Sequence, residues 1–238
     1  MRPVLVLQFM SDDGPGYLGS WAKREGIGLD VRNAAAGTPF PDRIEGFCGL
    51  AVLGGAMSAN DPLPFLRQAE RLILQAMHAQ VPVVGHCLGG QLMAKSLGAA
   101  VKASPAPEVG WHRMEILDVP AARAWFGPEP VQQVFHWHYE AFDVPPGATR
   151  LASSPMCPNQ AFAIGPHLAM QFHVEIDADK VNEWLCATDD AYVSARRQSP
   201  TVQAPDDIRS GIGSWLDAQH RLADRVYRRW RDAMSRFP

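Results

Sequence analysis

Apolar residues fall along this chain in two alternating rhythms. The first is a set of short continuous runs, residues 3–9, Leu50-Ala51-Val52-Leu53 and residues 81–85, with residues 29–34 as a further strand candidate. Runs this brief, several of them bounded by glycine, suit parallel strands covered on both faces. Between them the period changes to that of a helix. Residues 17–25 read as helical, with Gly26 placed to close the segment. Asp61-Pro62 has the form of a helix start, a side-chain cap followed by proline at the first helical position. Leu66, Ala69, Leu72, Ile73, Ala76 and Met77 then recur at helical spacing. Leu88, Leu92, Met93 and Leu97 do the same ahead of Gly98. Strands alternating with helices predict an α/β fold, a mostly parallel central sheet flanked by helices.

Beyond residue 100 the pattern shifts. Short β-like stretches are expected at residues 114–117, 131–137, 160–164 and 168–172. After Asp179 the chain reads as helical and ends in a polar amphipathic segment over residues 212–234, with residues 199–207 as a loop between two tail helices. The expected organisation is one domain over residues 1–180 and a C-terminal helical extension over residues 181–238 packed on it.

Composition narrows the function classes. The chain has 238 residues, 47% of them hydrophobic, enough for one sizeable α/β domain with an appendage. A formal net charge of −3, with 20% charged residues, favours neither a nucleic-acid binder nor a polybasic membrane binder. The basic run Arg228-Arg229-Trp230-Arg231 reads as a solvated helix face. The first residues look like a core strand rather than a signal peptide, and no apolar run approaches the roughly 20 residues that span a bilayer. Cysteines at 48, 87, 157 and 186 form no CxxC pair, against a zinc ribbon or a disulfide framework. A reducing cytoplasm is the expected setting.

The chemistry concentrates in Val83-Val84-Gly85-His86-Cys87-Leu88-Gly89-Gly90-Gln91. An apolar strand runs into a cysteine and straight on into a helix, with glycines on both sides. That is the form of a nucleophile elbow. It puts the thiol at the positive end of a helix, a position that favours thiolate. It also turns the backbone N–H of Leu88 toward a developing oxyanion. A nucleophilic cysteine needs a base, and the base needs an orienting group. In Met170-Gln171-Phe172-His173-Val174-Glu175, His173 and Glu175 lie two apart, on one side of an extended chain. Glu175 can accept from one imidazole nitrogen and leave the other facing Cys87. His86 itself reads as a strand residue. His136-x-His138 has the spacing of a metal pair but shows no third ligand in the sequence, so no metal is expected. Cys48, Cys157 and Cys186 read as bystanders, and Trp215, Tyr227 and Trp230 as packing residues of the tail.

Gly-His-Cys-Leu-Gly-Gly-Gln followed by Gln-Phe-His-Val-Glu resembles the class I glutamine amidotransferases, above all stand-alone proteins related to the glutaminase domain of GMP synthase. Leu53-Gly54-Gly55-Ala56-Met57-Ser58, Glu108-Val109-Gly110-Trp111, Trp137-His138-Tyr139-Glu140-Ala141-Phe142 and Cys157-Pro158-Asn159-Gln160-Ala161-Phe162 extend the resemblance from about residue 3 to 180. It departs at Ala56 and Val174, where relatives carry proline.

The resemblance implies a flavodoxin-like fold and roles for particular residues. Cys87 attacks a γ-glutamyl amide to give a thioester. His173 passes the proton to the leaving amine and then activates water, and Glu175 holds His173. The N–H groups of Gly55 and Leu88 form the oxyanion hole, while Gln91 and the segment around His138 line the glutamyl pocket. Glu108 and Trp111 either shape a pocket or fix a loop. No cofactor is required. The released ammonia would go to a separate ATP-dependent synthetase subunit, since the helical tail carries no phosphate-binding glycine motif. The alternatives are a self-sufficient γ-glutamyl peptidase and, third, a catalytically silent binding module.

Overall fold

The computed structural model describes residues 2–234; Met1 and residues 235–238, the outer ends of the two expected spans, lie outside the described residues. The chain first alternates strand and helix: β1 (Val4–Gln8), α1 (Tyr17–Arg24), β2 (Leu29–Asn33), β3 (Gly49–Val52), α2 (Pro64–His78), β4 (Val83–His86) and α3 (Leu88–Ser96). It continues with β5 (Val101–Ile116), α4 (Pro120–Phe126), β6 (Val131–Phe142), β7 (Thr149–Ser153), β8 (Ala161–Ile164) and β9 (His167–Met170). Three helices close the described chain: α5 (Ala178–Cys186), α6 (Asp190–Gln198) and α7 (Pro205–Met234).

The strands form one sheet in the order β2-β1-β3-β4-β9-β8-β7-β5-β6. From β2 to β9 every pairing is parallel. From β9 to β6 every pairing is antiparallel. The α/β class holds, on a mixed sheet whose last parallel strand, β9, sits at the changeover. Alternate residues of β1 serve opposite cores, as the two-residue strand period requires. Val4 and Val6 pack with α1, α4 and α7, while Leu5 and Leu7 pack with α2 and α3. Helices therefore cover both faces, and the buried face of α7, including Tyr227 and Trp230, shares its core with the sheet.

Local chemistry sets most element ends. Asp177 and Asp189 cap α5 and α6 by accepting from the N–H groups of Lys180 and Tyr192, each such cap contributing about 1 kcal/mol. Gly26 and Gly98 take positive φ just past α1 and α3, as expected of helix stops. Other ends differ from what the sequence pattern predicts. α2 begins at Pro64 after Leu63, not at Asp61-Pro62. Asp61 instead accepts from Ser58 N–H at 3.0 Å and closes a turn. α7 begins at Pro205, inside the expected loop. β5 is far longer than residues 114–117, because polar residues and two prolines disguise its first half, which carries a bulge between Ala103 and Glu108. The short elements β7 and α4 have no counterpart among the expected ones. Trp215 is 43% exposed, so it is not a packing residue. No described helix is long and apolar enough to cross a membrane.

Candidate active site

β4 ends at His86 and α3 starts at Leu88, so Cys87 alone makes the turn. Its φ of 48° and ψ of −106° lie where a side chain is strained, at a cost on the order of 1–3 kcal/mol. Neighbours hold it there. Cys87 N–H donates to the Met170 carbonyl at 2.8 Å, and Gln91 N–H donates to the Cys87 carbonyl at 2.9 Å. A Cβ at Gly89 would stand 2.1 Å from the Val52 carbonyl oxygen, and one at Gly90 would stand 2.5 Å from that of Met170. Only glycine lets α3 lie this close to β3 and β9. The thiol meets the Trp137 carbonyl oxygen at 3.7 Å, and Gln171 Nε2 donates to Sγ at 3.5 Å.

His173 lies just past β9, where its N–H donates to the Phe135 carbonyl at 2.9 Å. Its Nδ1 stands 2.6 Å from Glu175 Oε1. A carboxylate only accepts, so Nδ1 carries the proton and Nε2 is left for chemistry. Nε2 is buried with no hydrogen-bond partner. The edge of Trp184 packs on the ring, centroids 4.8 Å apart. Burial disfavours charge on both residues, but their mutual attraction wins. Glu175, then Cys87, raise the His173 pKa above its usual range. His173, His86 and Lys180 hold the Glu175 carboxyl below its own.

Cys87 and His173 open onto one cavity of about 380 Å³, which Gly55, Gln91, Trp137 and His138 also line. Its size suits a small molecule. The loop from α5 to α6, with Thr188 and Asp189, forms part of the rim. A larger hollow of about 820 Å³ between α4 and α7, lined by Arg221, Arg225, Arg228 and Arg229, shares no residue with this site and holds no nucleophile. Leu88 is the first residue of α3, where an N–H has no intrahelical acceptor. Gln91 Nε2 donates to the Glu140 carbonyl at 3.1 Å, which fixes its side chain against the cavity wall.

Residues 25–184 match the model of the family described as glutamine amidotransferase class-I. The chain belongs to the class I glutamine amidotransferases. It is 32% identical over 190 residues to the glutamine amidotransferase-like protein YfeJ of Salmonella typhimurium, covering 76% of this chain and 78% of that one. It is 27% identical over 169 residues to a glutamine-hydrolyzing GMP synthase subunit of Thermoplasma acidophilum, covering 67% and 80%. The crystal structure of a glutamine amido transferase from Methylobacillus flagellatus superposes with a TM-score of 0.91 at 36% identity, covering 98% of this chain and 95% of that one.

For this amidotransferase, the structure adds residues that sequence reasoning passes over. His86, to the eye a strand residue, is fully buried. Its Nε2 lies 3.1 Å from Tyr227 Oη and 3.9 Å from Glu175 Oε2. Gln219 of α7 is also buried: its Oε1 accepts from Phe135 N–H at 2.7 Å and its Nε2 donates to the His173 carbonyl at 2.6 Å. Lys180 pairs with Asp13 and donates to the Gly14 carbonyl, both on the segment between β1 and α1. Polar residues on the apolar face of an amphipathic tail were the available signal for Gln219. Glu108 and Trp111 do not line the cavity. Trp111 Nε1 donates to the Ile208 carbonyl at 3.0 Å and ties β5 to α7. Glu108 instead joins His136 and His138 in a buried cluster, which supplies the third potential ligand not visible in the sequence.

Proposed function

We propose that the enzyme hydrolyses a γ-glutamyl amide through a cysteine thioester, with Cys87, His173 and Glu175 as the triad. The observation that carries this reading is the shared cavity. A strained elbow cysteine and an imidazole fixed in one tautomer by a buried carboxylate open onto the same small space.

His173 takes the thiol proton, and the Cys87 thiolate then attacks the side-chain carbonyl carbon of the substrate. Glu175 stabilises the imidazolium so formed. The tetrahedral oxyanion is met by the N–H groups of Gly55 and Leu88. As the C–N bond breaks, His173 returns the proton to the departing amine or ammonia. Water then enters, loses a proton to His173 and attacks the thioester, releasing the γ-carboxylate and the free thiol. Gln91 and His138 shape the wall against which the glutamyl group lies. The likeness to the glutamine-hydrolyzing GMP synthase subunit supports glutamine as substrate and a separate ATP-dependent synthetase as the receiver of ammonia. The four unpaired cysteines fit a reducing cytoplasm.

The test is ammonia or amine release from glutamine and from a panel of γ-glutamyl amides and peptides. Cys87→Ala should lower the rate by about 10⁴-fold or more, with the far-UV spectrum unchanged. Full activity in that variant would refute the mechanism. Fast turnover of a γ-glutamyl peptide by the protein alone would move the assignment to a self-sufficient peptidase.

A further inference from the structure

Along the paired strands β5 and β6, Glu108 stands opposite His138 and Gly110 opposite His136. Residues two apart on a strand share a face, so the carboxylate and both imidazoles meet on one side. One donor atom from each of Glu108, His136 and His138 lies within 4.8 Å of the others, and all three residues are buried. Neutral donors anchor the carboxylate: Ser154 Oγ donates to Oε1 and Gln160 Nε2 to Oε2, each at 2.7 Å.

Protons alone leave this cluster unbalanced. His138 Nδ1 lies 3.2 Å from the Glu140 carbonyl oxygen, with the Ser104 hydroxyl at 3.5 Å. A carbonyl only accepts, so Nδ1 carries the ring proton. In the neutral ring, Nε2 is then a bare lone pair, 3.2 Å from Glu108 Oε2. Two electron-rich atoms face each other. A second proton at Nε2 turns this contact into an ion pair but does nothing for the rest of the cluster. His136 has no partner at either ring nitrogen, and Gln160 Oε1 beside the carboxylate has none either.

A cation among these atoms takes the Glu108 carboxylate, His138 Nε2 and one His136 nitrogen as ligands. Two ligands of one tetrahedral ion, each ~2.0–2.1 Å from it, stand about 3.3 Å apart with lone pairs aimed at a shared point rather than at each other. The Glu108–His138 contact has that spacing. Two imidazoles with one carboxylate suit a first-row divalent transition ion; magnesium and calcium prefer oxygen throughout. We propose that Glu108, His136 and His138 bind one divalent transition-metal ion, with zinc as the reference ion. Ser154, Gln160 and the Glu140 carbonyl orient the ligands from outside. His138 borders the cavity and offers the ion a path in. The ion takes no part in amide hydrolysis. It pins β5 to β6 beside Trp137, whose carbonyl touches Cys87.

The test is metal uptake by Cys87→Ala protein, so that the nucleophile cannot compete. Chelator-stripped protein should take up one equivalent of Zn²⁺ or Co²⁺, gain several degrees in Tm, and show two imidazoles and no sulfur in the metal's X-ray absorption spectrum. His136→Gln and Glu108→Gln should each weaken uptake by more than about tenfold. No stoichiometric uptake by the parent protein, or uptake unchanged in both variants, overturns the proposal. Should the variants fail to fold, the parent spectrum decides alone: a sulfur-containing or all-oxygen shell overturns it. None of these outcomes bears on whether Cys87 is the nucleophile.

Discussion

Each half of the sheet buries a histidine against a glutamate, and the two pairs are wired in opposite directions. At the parallel half, Glu175 meets Nδ1 of His173, so the outer nitrogen Nε2 is left for a reacting group. At the antiparallel half, the Glu140 carbonyl holds Nδ1 of His138, and Nε2 turns inward to Glu108. The same two side chains thus give a base poised at a cavity in one place and a closed donor set in the other. What separates them is which nitrogen the carboxylate takes. That choice follows from backbone placement: His173 sits on irregular chain past a strand end, whereas His138 lies within β6, opposite the residue that ends the β5 bulge.

The comparison breaks most sharply at Glu175. Glu175→Gln keeps the shape but lets the amide favour the wrong imidazole tautomer, and kcat should fall by about 10²–10⁴-fold with KM little changed. Stability should respond as well. The Glu175 carboxyl is held down from 4.5 to about 2 because His173, His86 and Lys180 outweigh its burial. A lowered carboxyl pKa contributes stability that is present above the unfolded value and lost as pH falls through the folded one. Urea midpoints should therefore decline as pH drops from about 4.5 toward 2, and Glu175→Gln should flatten that decline. An unchanged acid slope would show that Glu175 does not carry it.

Gln219 sharpens the comparison on the structural side. It clamps the His173 carbonyl to the Phe135 N–H from α7, a restraint with no counterpart at His138. Gln219→Leu leaves two buried backbone groups without partners and should cost roughly 2–4 kcal/mol, read as a lowered urea midpoint at constant slope. A loss below about 0.5 kcal/mol would mean that the groups find other partners.

How much of this was legible in the sequence follows the range of the interactions. The elbow, Cys87 and the His173–Glu175 pair are encoded over a few adjacent residues, where spacing and strand period fix geometry. The β1–β4 alternation was equally plain, because β1, β3 and β4 are short, fully buried runs. The Glu108 cluster was not: it needs strands β5 and β6 in register across a bulge, and the first half of β5 is polar, with two prolines in place of an apolar run. The start of α2 was misplaced because Asp61 commits its side chain to a turn, not to a cap. Tyr227 reads as packing, and Gln219 draws no notice, because periodicity reports which face of a helix is buried, not what its polar atoms touch.

The smallest expected effect tests how finely the catalytic pair is tuned. Burial, then Glu175, push the Tyr227 phenol well above its usual range, so it stays protonated, and it shares a hydrogen bond of 3.1 Å with His86 Nε2 whose direction follows the imidazole tautomer. In the tautomer with the proton on Nδ1 the phenol donates, His86 Nε2 carries no proton, and Glu175 Oε2 stays unbonded. The carboxylate charge is then directed at His173 alone. Tyr227→Phe removes the donor and keeps the ring. His86 can then place a proton on Nε2 and donate to Glu175, which weakens the hold on His173. The expected result is a fall in kcat of about fivefold, or ~1 kcal/mol. With it, the basic limb of the pH–rate profile should move to lower pH, since a less stabilised imidazolium loses its proton sooner. A purely structural Tyr227 would lower the urea midpoint and leave that limb where it was.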